Sequence, residues 1–138
     1  MSAPAWLRSV GAVVGGFATT VILSTAADAA MVAAGVFPPA GGKPMSEGMF
    51  LLAAAYRLAF TVVGGYVAAR LAPDRPMRHA MVLAGIGVLA GLGGLVAFYR
   101  IGGPAMGPAW YAIQIPLTAI PGVWAGARLA MRTRPLGA

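Results

Sequence analysis

The chain has no cysteine, one histidine and three acidic residues in 138 positions. Each shortage closes off a class of chemistry. Without cysteine there is no disulfide, no thiolate nucleophile and no cysteine-bound metal. His79 has no neighbour at metal-ligand spacing. A Ser–His–Asp set would have to be built on that same histidine, at the mouth of the third apolar stretch. Paired carboxylates would have to come from Asp28, Glu47 and Asp74, and Asp74 is expected on the opposite membrane face from the other two. Neither an enzyme active site nor a cofactor or metal is expected from so small a set.

Charge is scarce as well. Asp, Glu, Lys and Arg make up 9% of the chain, against about 25% in a soluble domain. Water is therefore not the solvent for most of this surface. Hydrophobic residues make up 59%, and they fall in four stretches, 6–36, 48–72, 79–99 and 108–131. Each exceeds the ~20 residues that cross a hydrocarbon core. The expected fold is all-α, an integral membrane four-helix bundle filling 1–138 as one domain.

The connections read as breaks. Phe37-Pro38-Pro39-Ala40-Gly41-Gly42-Lys43-Pro44 cannot continue a helix, because proline lacks the donor and paired glycines lose too much entropy. Ser46 is placed to cap the second helix, with Glu47 in its first turn. Pro73-Asp74-Arg75-Pro76 makes a tight turn into the third. Gly102-Gly103-Pro104 and Gly107-Pro108 separate the third and fourth. The polar tail after Arg132 is expected to be disordered. The first stretch has the outline of a signal peptide, ending in Ser24-Thr25-Ala26-Ala27-Asp28-Ala29. Its apolar character continues through Met31-Val32-Ala33-Ala34, so an uncleaved first span is expected.

The basic residues are distributed by side. Arg8, Arg70, Arg75, Arg78, Arg128, Arg132 and Arg134 flank one set of helix ends, whereas Lys43 and Arg100 flank the other. Short loops rich in Lys and Arg stay cytoplasmic. Both termini and the middle loop are therefore expected in the cytoplasm. The net charge of +7 faces lipid headgroups in this arrangement. No basic run is interleaved with aromatics, and nucleic acid is not an expected partner.

Helices in lipid associate through small residues and buried polar groups. Gly11 with Gly15, Gly87 with Gly91, and Gly122 with Gly126 are spaced by four, as are Gly65 and Ala69. Pro116 and Pro121 are expected to bend the fourth helix and free carbonyls within it. Ala69-Arg70-Leu71-Ala72 and Ala127-Arg128-Leu129-Ala130 echo one another. Either a duplicated hairpin or a shared cytoplasmic anchor accounts for the echo.

Two charges lie inside apolar stretches, Asp28 and Arg57. Such a charge costs at least ~2.5 kcal/mol at the bilayer centre and is usually paired, water-exposed or functional. At ~1.5 Å per residue, Asp28 lies about 30 Å above Arg8 and Arg57 about 20 Å above Arg70. Side chains tilt toward a helix's N-terminus, which carries these two toward one another in antiparallel helices. An Asp28–Arg57 ion pair in the outer half is expected. Tyr56, Gln114 and the hydroxyls of Thr19, Thr20, Ser24 and Thr25 are expected to line a small polar cavity with it.

The stretch Gly64-Gly65-Tyr66-Val67-Ala68-Ala69-Arg70-Leu71-Ala72-Pro73, followed by Arg75-Pro76-Met77-Arg78-His79-Ala80, resembles a pattern in small four-helix inner-membrane proteins of high-GC bacteria. Nine arginines against one lysine agree with that source. The resemblance implies location in a bacterial inner membrane and no particular activity. Small multidrug transporters and fluoride channels are similar in length. The former place a glutamate in the first helix, where this chain has only Asp28. The polar track and phenylalanine pairs of the latter have no clear counterpart.

Two functions fit these features. One is a non-catalytic accessory or assembly subunit of a membrane complex, suggested by smooth glycine faces and short loops. The other is a small homo-oligomeric transporter or channel, suggested by Asp28, Arg57, Gln114 and the proline-bent fourth helix. The expected partners are the lipid bilayer and either a membrane-protein complex or further copies of the chain.

Overall fold

The computed structural model describes residues 2–134; the last four positions of the polar tail lie outside them. Four long helices account for most of the chain: α1 (Ala5–Ala33), α2 (Glu47–Leu71), α3 (Pro76–Ala97) and α4 (Ala109–Arg132). There is no strand among the described residues. A π-helical turn, Phe98–Gly102, and a 3-10 turn, Gly103–Met106, prolong α3.

Three segments are long and apolar enough to cross a membrane: Ala5–Ala33, Glu47–Leu71 and Pro76–Met106. Helix α4 has the length, at 24 residues, but is more polar. It carries Gln114, Thr118, Arg128 and two internal prolines. It is also the helix whose polar and apolar residues are most clearly segregated onto separate faces.

The ends follow from local chemistry. Helix α1 stops three residues short of the apolar stretch, because Gly35 takes φ +74°. The Val36 and Phe37 amides then turn back to the Met31 carbonyl, which satisfies an end that would otherwise be unpaired. Ser46 caps α2: its Oγ accepts from the Met49 amide at 3.4 Å, and Glu47 occupies the first turn. Pro76 opens α3 at the position where a missing N–H costs nothing. The residue before it, Arg75, takes a left-handed φ of +39°. Helix α4 runs unbroken through both Pro116 and Pro121.

The helices alternate in direction. Helix α1 packs antiparallel to α2, and α3 antiparallel to α4. Helices α2 and α4 run parallel in close contact, and α3 also touches α1 and α2. The start of α1, the α2–α3 connection and the end of α4 gather at one end, where Arg134 donates to the Ala72 carbonyl at 3.3 Å. This basic end holds seven arginines.

The core lies toward that end and is built from small side chains. Ala68, Ala69, Ala80, Ala84, Ala127 and Ala130 pack with Leu83 and Val123. Burying so few carbons yields little transfer energy, so close backbone approach has to supply the cohesion. Glycine permits it. A Cβ on Gly126 would collide with the Val62 carbonyl, and one on Gly65 with the Val123 backbone. On Gly16 it would meet the Gly64 carbonyl at 2.7 Å, and on Gly91 the Pro116 backbone at 2.8 Å. Gly122 and Gly15 face the side chains of Thr61 and Leu71, both at 2.9 Å. Gly87 faces the Ala119 methyl at 3.3 Å. Gly11 does not belong to this set, since nothing lies within 4 Å of a Cβ there. On α1 the close contacts are made by Gly15 and Gly16.

Candidate functional site

Asp28 stands in the penultimate turn of α1, and Tyr56 and Arg57 stand in the middle of α2. The antiparallel hairpin brings the three together. The Arg57 Nη2 donates to one Asp28 carboxylate oxygen, and the Tyr56 hydroxyl donates to the other. Both lone-pair faces of the carboxylate are thereby engaged, which offsets part of the desolvation of a charge inside an apolar helix. The two charged side chains keep 35% (Arg57) and 39% (Asp28) of their surface exposed. The Tyr56 ring is held between Phe37 and Phe60, at centroid distances of 6.4 and 5.9 Å. Phe37 comes from the α1–α2 loop and is buried, so the loop itself fixes the tyrosine.

Arg57 is not fully used by this arrangement. Its Nε is buried and has no hydrogen-bond partner. A buried donor left unpaired is costly and needs an explanation. Beside it lies a cavity of about 430 Å³ between the four helices. Among the described residues, Arg57 is the one charged residue that lines it, and it is paired with Asp28. Hydroxyl-bearing residues of the same lining are Thr20, Ser24 and Thr25 of α1, Thr61 of α2 and Tyr111 of α4. The remaining wall is apolar or small and includes Gly87, Ala90, Gly91 and Gly94 of α3. Phe98 and Met106, from the π-helical and 3-10 turns, close the far side.

Towards the basic end the cavity stops at Leu83 and Val123. Both belong to the alanine core and are 4% and 3% exposed. The space between the four helices is thus hollow and partly polar in one half and filled by the alanine core in the other. Mostly apolar walls with a few convergent polar groups are what a site for a small molecule requires. Thr20 and Thr61 spend their protons on backbone carbonyls, so the guanidinium with Ser24, Thr25 and Tyr111 is the part of the lining that suits a solute bearing an acceptor group.

Of the residues picked out from sequence, Asp28, Tyr56 and Arg57 share direct contacts, and Thr25 lines the adjoining cavity. Gln114 does not join them. At 3.6 residues per turn it lies roughly a third of a turn away from the lining positions Tyr111, Ile115 and Ala119. Its own Oε1 accepts from the Thr118 hydroxyl at 3.4 Å. Thr61 and Tyr111 were not anticipated as site residues. Thr61 follows Arg57 by one turn and donates to its carbonyl at 2.8 Å, a spacing visible in the sequence. Tyr111 reads as an interfacial aromatic; its ring instead sits 5.1 Å from that of Phe50 and its side chain faces the cavity. Comparison with protein-family models, curated proteins and solved structures finds no match for the chain.

Proposed function

We propose that the chain is a multi-pass protein of the bacterial inner membrane. All four helices cross the bilayer, and the basic end faces the cytoplasm. In this reading it is a small transporter or channel, and its solute occupies the cavity beside Arg57. The observation that carries it is the pairing of that cavity with the closed alanine core beneath. A helix bundle that served only as packing would have no reason to keep a charged, hydroxyl-lined space inside itself. The arrangement fits a solute site in the outer half, separated from the cytoplasm by the alanine core. The bilayer passage of α4 rests on its position: its small residues Ala119, Gly122, Gly126 and Ala130 face the bundle, while Leu117, Ile120 and Leu129 are exposed on its outer side, where lipid would lie. The test is flux in proteoliposomes, using small inorganic and carboxylate anions in turn. Wild type should exceed protein-free vesicles for at least one of them, and Asp28→Asn should lose the gain. Equal flux with and without protein across the set would remove this reading.

A second reading, the accessory or assembly subunit, has its own support. Gly85 and Gly93 of α3 and Gly11 of α1 face open space, and Leu89 between the first two is 71% exposed. Smooth faces of this kind suit docking against another membrane helix. Native mass spectrometry from the protein's own membrane separates the two. A heteromeric mass favours the subunit, and a homo-oligomer favours transport.

A further inference from the structure

A second cavity, of about 540 Å³, lies at the basic end between α1 and α3, away from Arg57. Its lining is ordered along the helix axes. At the end of the molecule stand Ser9, Arg75, Arg78 and His79. Deeper along the same two helices the wall becomes Val10, Val13 and Val14 on one side and Val82 and Ile86 on the other. The helices run parallel here, so the polar and apolar levels match across the groove. From Arg75 to Ile86 the groove extends about 16 Å by helical rise.

We propose that this groove binds one anionic phospholipid. Its phosphodiester sits at Arg75 and Arg78, and an acyl chain lies along the valines. Three observations favour a lipid. First, charge is complementary: two guanidiniums face one carboxylate, Asp74, at the mouth, and the rest of that end is arginine-rich. Second, the polar-to-apolar order follows the direction of a lipid in a leaflet, head at the helix ends and chain toward the midplane. A soluble phosphate would use the first part of the groove and leave the second empty. Third, the valines are exposed: Val10, Val14 and Val82 keep 52%, 57% and 52% of their surface. Arg75 is held at the mouth by a left-handed backbone, and its carbonyl is within 3.2 Å of the His79 Nδ1. That contact ties the two mouth residues together. Basic pockets between membrane helices on the cytoplasmic side are a known kind of headgroup site.

The experiment is native mass spectrometry of the intact chain in mild detergent, titrated with phosphatidylglycerol and with phosphatidylcholine of the same chains. Wild type is expected to retain phosphatidylglycerol preferentially. The double variant R75Q/R78Q should weaken that binding roughly thirtyfold, from about two lost surface charges. Val82→Trp, which fills the slot and keeps every charge, should weaken it as well. Glycerophosphate in excess should not compete. Both variants alter exposed or half-exposed positions, and retained helical circular dichroism confirms that they fold. Equal binding of the two lipids, an unaffected R75Q/R78Q protein, or an unaffected Val82→Trp protein would each overturn the proposal. Displacement by glycerophosphate would do so too, by making this a site for free phosphate.

Discussion

Asp28 and Arg57, 29 positions apart in sequence, form an ion pair across the α1–α2 hairpin, with the Tyr56 hydroxyl on the carboxylate's other oxygen. Removing one member leaves the other charged and short of partners. For a fully buried pair that costs about 3–5 kcal/mol. Here over a third of each side chain is exposed, and about 1–2 kcal/mol is expected. Asp28→Asn and Arg57→Gln should each lower stability by that amount in denaturant titrations in detergent micelles. The double variant should lose less than the sum of the two. Strict additivity would mean that the pair does not hold the hairpin.

The glycines divide into two classes with opposite expected behaviour. A methyl on Gly126 or Gly65 would collide with the backbone of the facing helix. Backbone cannot rotate aside, so Gly126→Ala should cost about 1–3 kcal/mol or more. Gly11 and Gly85 meet nothing within 4 Å. There, alanine removes a flexible helical residue, and a gain of about 0.5–1 kcal/mol is expected. Thermal unfolding of the four single variants checks both directions at once. If Gly11→Ala and Gly126→Ala shift the midpoint alike, the tight α2–α4 contact is not what sets stability.

The starts of α2 and α4 are joined by one hydrogen bond. The Trp110 indole Nε1 donates to Glu47 Oε1 at 2.7 Å. The acceptor is charged and also favours the N-terminus of its own helix. Both residues lie near solvent, so the net contribution is expected near 1 kcal/mol. Glu47→Gln keeps an acceptor and should cost little. Trp110→Phe removes the donor and should raise hydrogen exchange at the first turns of α2 and α4. Faster exchange in the middle of α2 instead would place the effect elsewhere.

How much of this was legible in the sequence depended on how local the signal was. The three apolar helices, the Ser46 cap and the α2–α3 turn follow from composition and from single residues that end or begin a helix. The meeting of Asp28 and Arg57 follows from rise and side-chain tilt in an antiparallel pair. The packing register does not. Gly11 and Gly15 carry the familiar spacing, yet Gly11 faces open space and Gly16 meets the α2 backbone beside Gly15, because one residue's rotation on a helix is about 100° and sequence spacing does not say which face is used. Gln114 was misplaced for the same reason. Tyr111 was hidden because an aromatic near a helix end looks the same whether it faces lipid or a cavity. The closeness of α2 and α4, which are parallel and distant in sequence, had no local sign.

The lack of cysteine makes both topology and the cavity directly testable, since any introduced thiol is the only one. In intact cells, Lys43→Cys should react with a membrane-impermeant maleimide, and Thr133→Cys should react only after the membrane is opened. The reverse pattern would invert the proposed orientation. The cavity makes a finer demand. Thr61→Cys and Ala112→Cys lie on its wall and should react with a small methanethiosulfonate reagent added from the Lys43 side. Ala84→Cys, at 1% exposure in the alanine core, should stay protected. Reaction at Thr61 that disappears when a transported anion is present would show that solute and reagent compete for one space. Protection at both wall positions would mean that the cavity is closed in the membrane, and the transport reading would lose its main support.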